Sequence, residues 1–329
     1  MENSLYKTQK LFLGTVTPEQ RLAVFSSWMP NRKISPQKDA LREKLVETLS
    51  QQKDSLPVAD PVFFKLQQLL RQENVGANEY ASVIESDPML ASKLLSLAHS
   101  AKYAGASFAT IPELITIVGL SEIRRVAILP AIKKAFKQTL PNFDHNLFFF
   151  RGILVARTVE TIVAQYRPLT GIEYIAGLLH DVGKLILAAN CPTEFTEIQA
   201  RHKIEGGSLY SIEKEMLGFS HTNLSALFCA YWGITNKVCT ALNFHHEPAS
   251  IHDCESPMFL AGIIYLAEQL ASLCGHGRLE NEARTTQELL AQPAMAWIHD
   301  LPAPNRTLNI DMPANLKFAK EVVAMLGHA

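Results

Sequence analysis

The sequence predicts an all-α fold, and three observations lead there. Apolar residues recur at helical spacing, period-two alternation is scarce, and Pro or Gly interrupts the pattern at about the length of one short helix. With 329 residues, 47% of them apolar and 19% charged, the chain is long enough to bury a substantial core.

Residues 1 to 55 read as an extension: a turn-rich piece (Pro18, Pro30, Pro36), then a polar helix over 37–52 with Leu41, Leu45 and Leu49 on one narrow stripe. Residues 56–140 read as a first helical subdomain of short helices, with breaks expected at Pro57, Pro61, Gly76, Pro88, Gly105, Pro112, Gly119 and Pro130. Its clearest helix spans 88–100, where Pro88 follows the capping residue Asp87 and Leu90, Leu94, Leu95, Leu97 and Ala98 supply a core face. Residues 141–275 read as a second subdomain, with helices over 148–166, 172–189, 208–217, 221–232, 237–246 and 256–274. The tail, 276–329, carries Pro293, Pro302, Pro304 and Pro313, and is expected to be irregular apart from short helices over 286–292 and 314–326.

The net charge of −1 gives no general electrostatic reason to expect nucleic acid or an anionic membrane as partner. Arg124, Arg125, Lys133, Lys134 and Lys137 read as a solvated helical face, without the aromatic residues that would stack bases. Five cysteines (Cys191, Cys229, Cys239, Cys254, Cys274) with no Cys-x-x-Cys pair argue against a disulfide framework and a thiolate zinc site. A reducing cytoplasm is the expected location. No apolar run reaches the roughly 18 residues that cross a bilayer.

Chemistry concentrates at His180-Asp181, two ionisable residues inside the apolar run from Tyr174 to Ala189. Buried charge needs a partner, and a divalent metal is one. Imidazole with carboxylate suits Fe, Mn or Zn. Further candidate ligands follow at His221, His245 and His246. Adjacent residues of one helix diverge by about 100°, so both members of the pair reach one ion only if it sits in a cleft between helices. The bland alternative is a buried, hydrogen-bonded pair that fixes helix packing. Gly183 permits close approach to the helix, and Lys184 would place a positive charge beside a phosphate. A phosphate-binding loop is excluded, because Leu178 and Leu185 stand where Gly and Ser or Thr are required. A zincin motif is excluded by Ser250 in place of its second His.

The segments from Glu85 to Ala101 and from Ile111 to Leu120, followed by Gly177 to Lys184, His221, Trp232 and His245-His246, resemble the HDOD domain, a divergent branch of the HD superfamily of bacterial signalling proteins. His99 departs from the usual Asn of the first segment. The resemblance covers residues 56–275. It implies a regulatory module that meets a signalling protein or a phosphate-containing small ligand without turnover.

Catalytic HD relatives hydrolyse phosphate esters, and their residue set gives the alternative: a metal site of His180, Asp181, His221, His245, His246 and Glu268, with Asp181 and Lys184 as the residues serving catalysis. Two departures weigh against that alternative. Arg151 stands where such enzymes have their first metal-binding His, with His145 the other histidine of that segment, and no Gly-Tyr-Pro follows His246-Glu247. Arg151 cannot bind a metal; its fixed charge suits a pairing with Asp181 or an anionic ligand.

Overall fold

The computed structural model describes residues 61–69, 72, 75–98, 110–136, 140, 143–248, 253–276, 285–291, 295, 297 and 308–327. Their regular structure is helical, with no strand among the described residues. They fall into two compact units, within Pro57–Thr139 and within Leu140–Ala329. The helix expected over 37–52, and the residues His99 to Ala101, lie outside the described residues.

The first unit contains α1 (Pro61–Leu69), α2 (Ala77–Glu85), α3 (Pro88–Ala98), α4 (Ile111–Val118) and α5 (Leu120–Ala135). Asp87 starts α3 as its sequence implies, its Oδ1 accepting from the Leu90 amide at 3.2 Å. Thr110 does the same for α4 through the Glu113 amide at 3.3 Å. Leu90 and Leu94 are buried, but Leu95 is exposed, so the core stripe of α3 is narrower than expected. The side chains of Leu97 and Ala98 lie outside the described ones. Pro130 does not break the chain either. It sits inside α5, where buried Ile128, Leu129, Ala131 and Ile132 flank it, and their packing offsets the one backbone hydrogen bond that proline removes.

The second unit is built on α6 (His145–Val163), capped by Asp144, whose Oδ1 accepts from the Leu147 amide at 2.9 Å. Then come α7 (Ile172–Leu179), α8 (Val182–Asn190), α9 (Pro192–Glu205), α10 (Leu209–Leu217), α11 (His221–Tyr231), α12 (Asn236–Phe244), α13 (Pro257–Leu273), α14 (Thr286–Leu290) and α15 (Met312–Gly327). Helix α9 is polar on most faces and was not anticipated; only Phe195 and Ile198 are buried in it. Helices α7, α13 and α15 pack on α6, and α11 packs on both α8 and α12, with Trp232 fully buried just beyond α11. Gly177 sets the α6–α7 distance, since a Cβ there would lie 2.5 Å from the Cα of Ala156.

The tail helix α15 is part of this packing. Asn315, itself buried, donates to the Thr158 hydroxyl at 3.3 Å and accepts from Thr161 at 3.2 Å, while Gln165 and Asn309 bond each other's backbone or side chain at 2.9 Å in both directions.

The run from 172 to 189 is not the single helix its apolar pattern predicts. It turns at His180-Asp181, where Asp181 leaves helical geometry (φ −101°, ψ 3°). Tertiary hydrogen bonds account for the turn. The Ser225 hydroxyl donates to the His180 carbonyl at 2.8 Å and accepts from the Gly183 amide at 2.8 Å, taking two backbone groups that a continuous helix would use itself. The Lys184 amide then closes a shorter turn on the Asp181 carbonyl at 2.8 Å.

At the start of α7 a buried ion pair secures the chain: Arg167 Nη1 meets Glu173 Oε1 at 2.7 Å, and the Thr170 amide and hydroxyl each donate to Glu173 at 3.0 Å. Burial pushes the Glu173 pKa up, but the backbone amide, Arg167 and Thr170 outweigh it and hold the carboxyl below its ordinary value of 4.5. A depressed folded pKa means that the stabilisation is complete above 4.5 and is lost as pH falls through the folded value. Glu173→Gln is therefore expected to cost about 3 kcal/mol at neutral pH, because it removes the nearer and buried one of the two carboxylates facing the Arg167 guanidinium and leaves only the exposed Glu255 at 3.5 Å. In urea denaturation, the gap between wild type and variant should narrow as pH is lowered below 4.5; a gap independent of pH would contradict the assignment.

Candidate metal centre

The turn after α7 brings His180 and Asp181 into one cleft, against residues from α10, α11, α12 and α13. His180, His221 and His245 are fully buried, and the side chains of Asp181 and Glu268 nearly so. Two groups of ligand atoms form within the cleft: His221, His245 and His246 in one, His180, Asp181 and Glu268 in the other, with the atoms of each group within 4.8 Å of one another. His245 and His246 follow the last turn of α12, and Glu268 comes from α13.

Hydrogen bonds behind the rings fix which nitrogen faces the cleft. His180 Nδ1 lies 2.7 Å from the Gly177 carbonyl, and His245 Nδ1 lies 2.7 Å from the Leu242 carbonyl. A carbonyl only accepts, so each Nδ1 carries a proton, and in the neutral ring Nε2 then presents a bare lone pair. His221 is held by a carboxylate instead: Glu213 Oε2 accepts from its Nδ1 at 2.6 Å and from its backbone amide at 2.7 Å. Hydrogen bonding of the rear nitrogen to carbonyl or carboxylate is the arrangement that orients imidazoles toward a metal.

Glu213 is fully buried in α10 and was not singled out in the sequence. The signal was present: it lies four residues from both Leu209 and Leu217, on a face otherwise given to Leu217 and the core.

The forward-facing atoms are acceptors set against acceptors. Asp181 Oδ2 is 3.3 Å from His180 Nε2, and Asp181 Oδ1 is 3.3 Å from His221 Nε2. His180 Nε2, His245 Nε2, Asp181 Oδ1 and Glu268 Oε2 are buried without a hydrogen-bond donor. Lone pairs crowded this way in a water-poor interior call for a cation. The donor set of imidazole nitrogen and carboxylate oxygen fits Fe, Mn or Zn. His246 Nε2 stands 3.2 Å from His221 Nε2, so the two nitrogens face the same point of the cleft. Tyr210 stacks on the His246 ring (centroids 4.9 Å apart) and accepts from Lys214 Nζ at 2.9 Å.

Burial, then the neighbouring histidines, drive the His245 pKa down to about 3, although Glu268 and Asp181 oppose this, so the ring is neutral and competent as a ligand at ordinary pH. Burial likewise lowers His246. For Asp181 burial acts upward, but the positive charge that His180, Lys184 and His221 can carry beside it holds it well below the usual carboxylate range.

Two cations already stand at the carboxylates. Lys184 Nζ meets Asp181 Oδ2 at 2.7 Å, and Arg151 Nη2, from α6, meets Glu268 Oε1 at 2.7 Å. Arg151 thus pairs with Glu268 rather than Asp181: residues 151 and 268 face each other across packed helices α6 and α13, while Lys184 reaches back three residues to Asp181. His145 is at the start of α6, stacked edge-on to Phe143 at 5.1 Å, and belongs to neither ligand group.

The HDOD domain model matches residues 56–248, more than half of the chain. The chain belongs to the HDOD domain family. An HDOD domain protein of unknown function from Geobacter sulfurreducens superposes with a TM-score of 0.66 at 19% identity, over 87% of this chain and 96% of that one. A Shewanella amazonensis protein named "Putative phosphohydrolase" superposes with a TM-score of 0.61 at 22% identity, over 86% of this chain and 94% of that one. Such likenesses establish the shared fold. In sequence the chain is 23% identical over 249 residues to an uncharacterized protein of Treponema pallidum, 71% of this chain but 47% of the relative, so the HDOD chain spans about half the length of the curated relative it matches. No described helix is long and apolar enough to cross a membrane.

Proposed function

We propose that this HDOD chain is a non-enzymatic regulatory module whose second unit holds a divalent metal ion and whose output is contact with a signalling protein or a phosphate-containing ligand. The observation that carries the non-enzymatic part is the Arg151–Glu268 ion pair at 2.7 Å. It occupies a cluster carboxylate with a permanently charged side chain, which offers no coordination position at which a water could be activated. Burial points the same way: His221, His245 and His246 form one group of candidate ligands, but His221 and His245 are fully buried, and the reacting phosphorus of an ester would have to displace packed side chains to reach them. Arg151 and Lys184 keep donors in excess of their present partners, and these are the groups that would meet an anionic ligand at the margin of the cleft.

A metal-dependent phosphohydrolase is the second reading, favoured by the convergence of bare Nε2 atoms on Asp181. A bound metal would supply an activated water there. Lys184, with protons beyond the one given to Asp181, would answer phosphate charge.

Turnover decides between them. Metal-loaded full-length protein, assayed with a generic phosphodiester, nucleotides and cyclic dinucleotides, is expected to hydrolyse none above the free-metal background. Turnover that disappears in Asp181→Ala would reverse the conclusion in favour of the hydrolase.

A further inference from the structure

The cleft offers two groups of three ligands, and the fixed cations are distributed unequally between them. The carboxylates Asp181 and Glu268 belong to one group, and each already has a cation at 2.7 Å, Lys184 and Arg151 respectively. The other group, His221, His245 and His246, holds no carboxylate of its own. Behind the group, Glu213 Oε2 holds His221 Nδ1 at 2.6 Å; on the cleft side, Asp181 Oδ1 stands 3.3 Å from His221 Nε2 and Glu268 Oε2 3.7 Å from His246 Nε2.

Resting on the metal reading above, we infer that the cleft is a one-ion centre: a single divalent ion at His221, His245 and His246 with Asp181, the place of a second ion being taken by the side chains of Arg151 and Lys184. Charge supports this. Two carboxylates at the second group could neutralise one divalent ion, but a guanidinium and an ammonium already cancel them, so a further ion there would find no net negative charge to offset its own. Arg151 is the stronger block, because its charge is permanent and its guanidinium is anchored between α6 and α13, with only 20% of the side chain exposed. The three-histidine group carries no such charge. Asp181 bridges the groups, giving one oxygen to Lys184 and leaving the other toward His221.

The test is stoichiometric and needs no activity. Full-length protein saturated with Mn(II) and freed of excess by desalting should carry one ion per chain by elemental analysis. Its electron paramagnetic resonance spectrum should show isolated rather than exchange-coupled Mn(II). Arg151→His, which removes the fixed charge and adds a ligand, should raise the content toward two ions and introduce coupling. Arg151→Gln removes the charge alone and should raise occupancy of a second, weaker ion. Two coupled ions in the wild type would overturn the inference whether or not either variant folds, and so would a folded Arg151→His that stays at one. No ion at all in the wild type would overturn it at a different level, by removing the metal reading itself.

Discussion

His221→Ala is expected to lower stability by about 3 kcal/mol, through a buried carboxylate that loses a charge-assisted donor and an imidazole-sized cavity. Glu213 is fully buried, and the ring proton at 2.6 Å is one of two donors to its Oε2; the backbone amide remains in the variant, which keeps the loss short of a stranded charge. The same substitution removes a candidate ligand, so metal affinity should fall with it. Glu213→Gln, which leaves the ring in place but weakens its anchor, is expected to lower metal affinity by about ten- to a hundredfold. A double-mutant cycle separates pairing from general damage. Glu213→Ala and His221→Ala together should cost less than their sum by about 1 kcal/mol or more, as measured by urea denaturation. Strict additivity would mean that the two residues do not act as a unit.

Gly183→Ala is expected to be comparably severe for a different reason. A Cβ at residue 183 would sit 2.0 Å from the His221 carbonyl oxygen and 2.9 Å from the Ser225 amide nitrogen, both backbone atoms that cannot swing aside. Helices α8 and α11 would have to separate, at a cost of about 3 kcal/mol, and His221 would move with α11. Thermal denaturation should show a large drop, accompanied by weaker metal binding. Gly76→Ala is the contrast: its closest neighbour, at 2.9 Å, is the far end of the flexible Glu79 side chain, and little change is expected. Equal melting temperatures for the two alanine variants would contradict the close-packing account.

How much of this was legible in the sequence depends on whether a feature is local. Caps such as Asp87 and the helical spacing of apolar residues are local, and they led to the all-α fold. The ordered set His180, Asp181, His221, His245 and His246 was legible as residue types in sequence, and the structure brings them to one cleft with Glu268. The turn at His180-Asp181 was not legible. The apolar run is uninterrupted there, and what divides it is Ser225, 45 residues away, bonding the His180 carbonyl. That turn removes the difficulty that adjacent residues of one helix diverge. Glu213 was passed over because a single acid in a short polar helix is ordinary until its face is known to be buried. Arg151 could be placed by resemblance, but its partner could not: the choice of Glu268 over Asp181 depends on how α6 and α13 pack. Pro130 and Leu95 mislead in the same direction, since local propensity gives way to tertiary packing at both.

Anomalous scattering from crystals of Mn- or Zn-loaded protein tests the central claim most directly. One peak among the rings of His221, His245 and His246, with Asp181 beside it and the Arg151–Glu268 pair intact, is the predicted result. A peak between His180 and Glu268 with Arg151 displaced, or crystals of the loaded protein with no peak in the cleft, would contradict it.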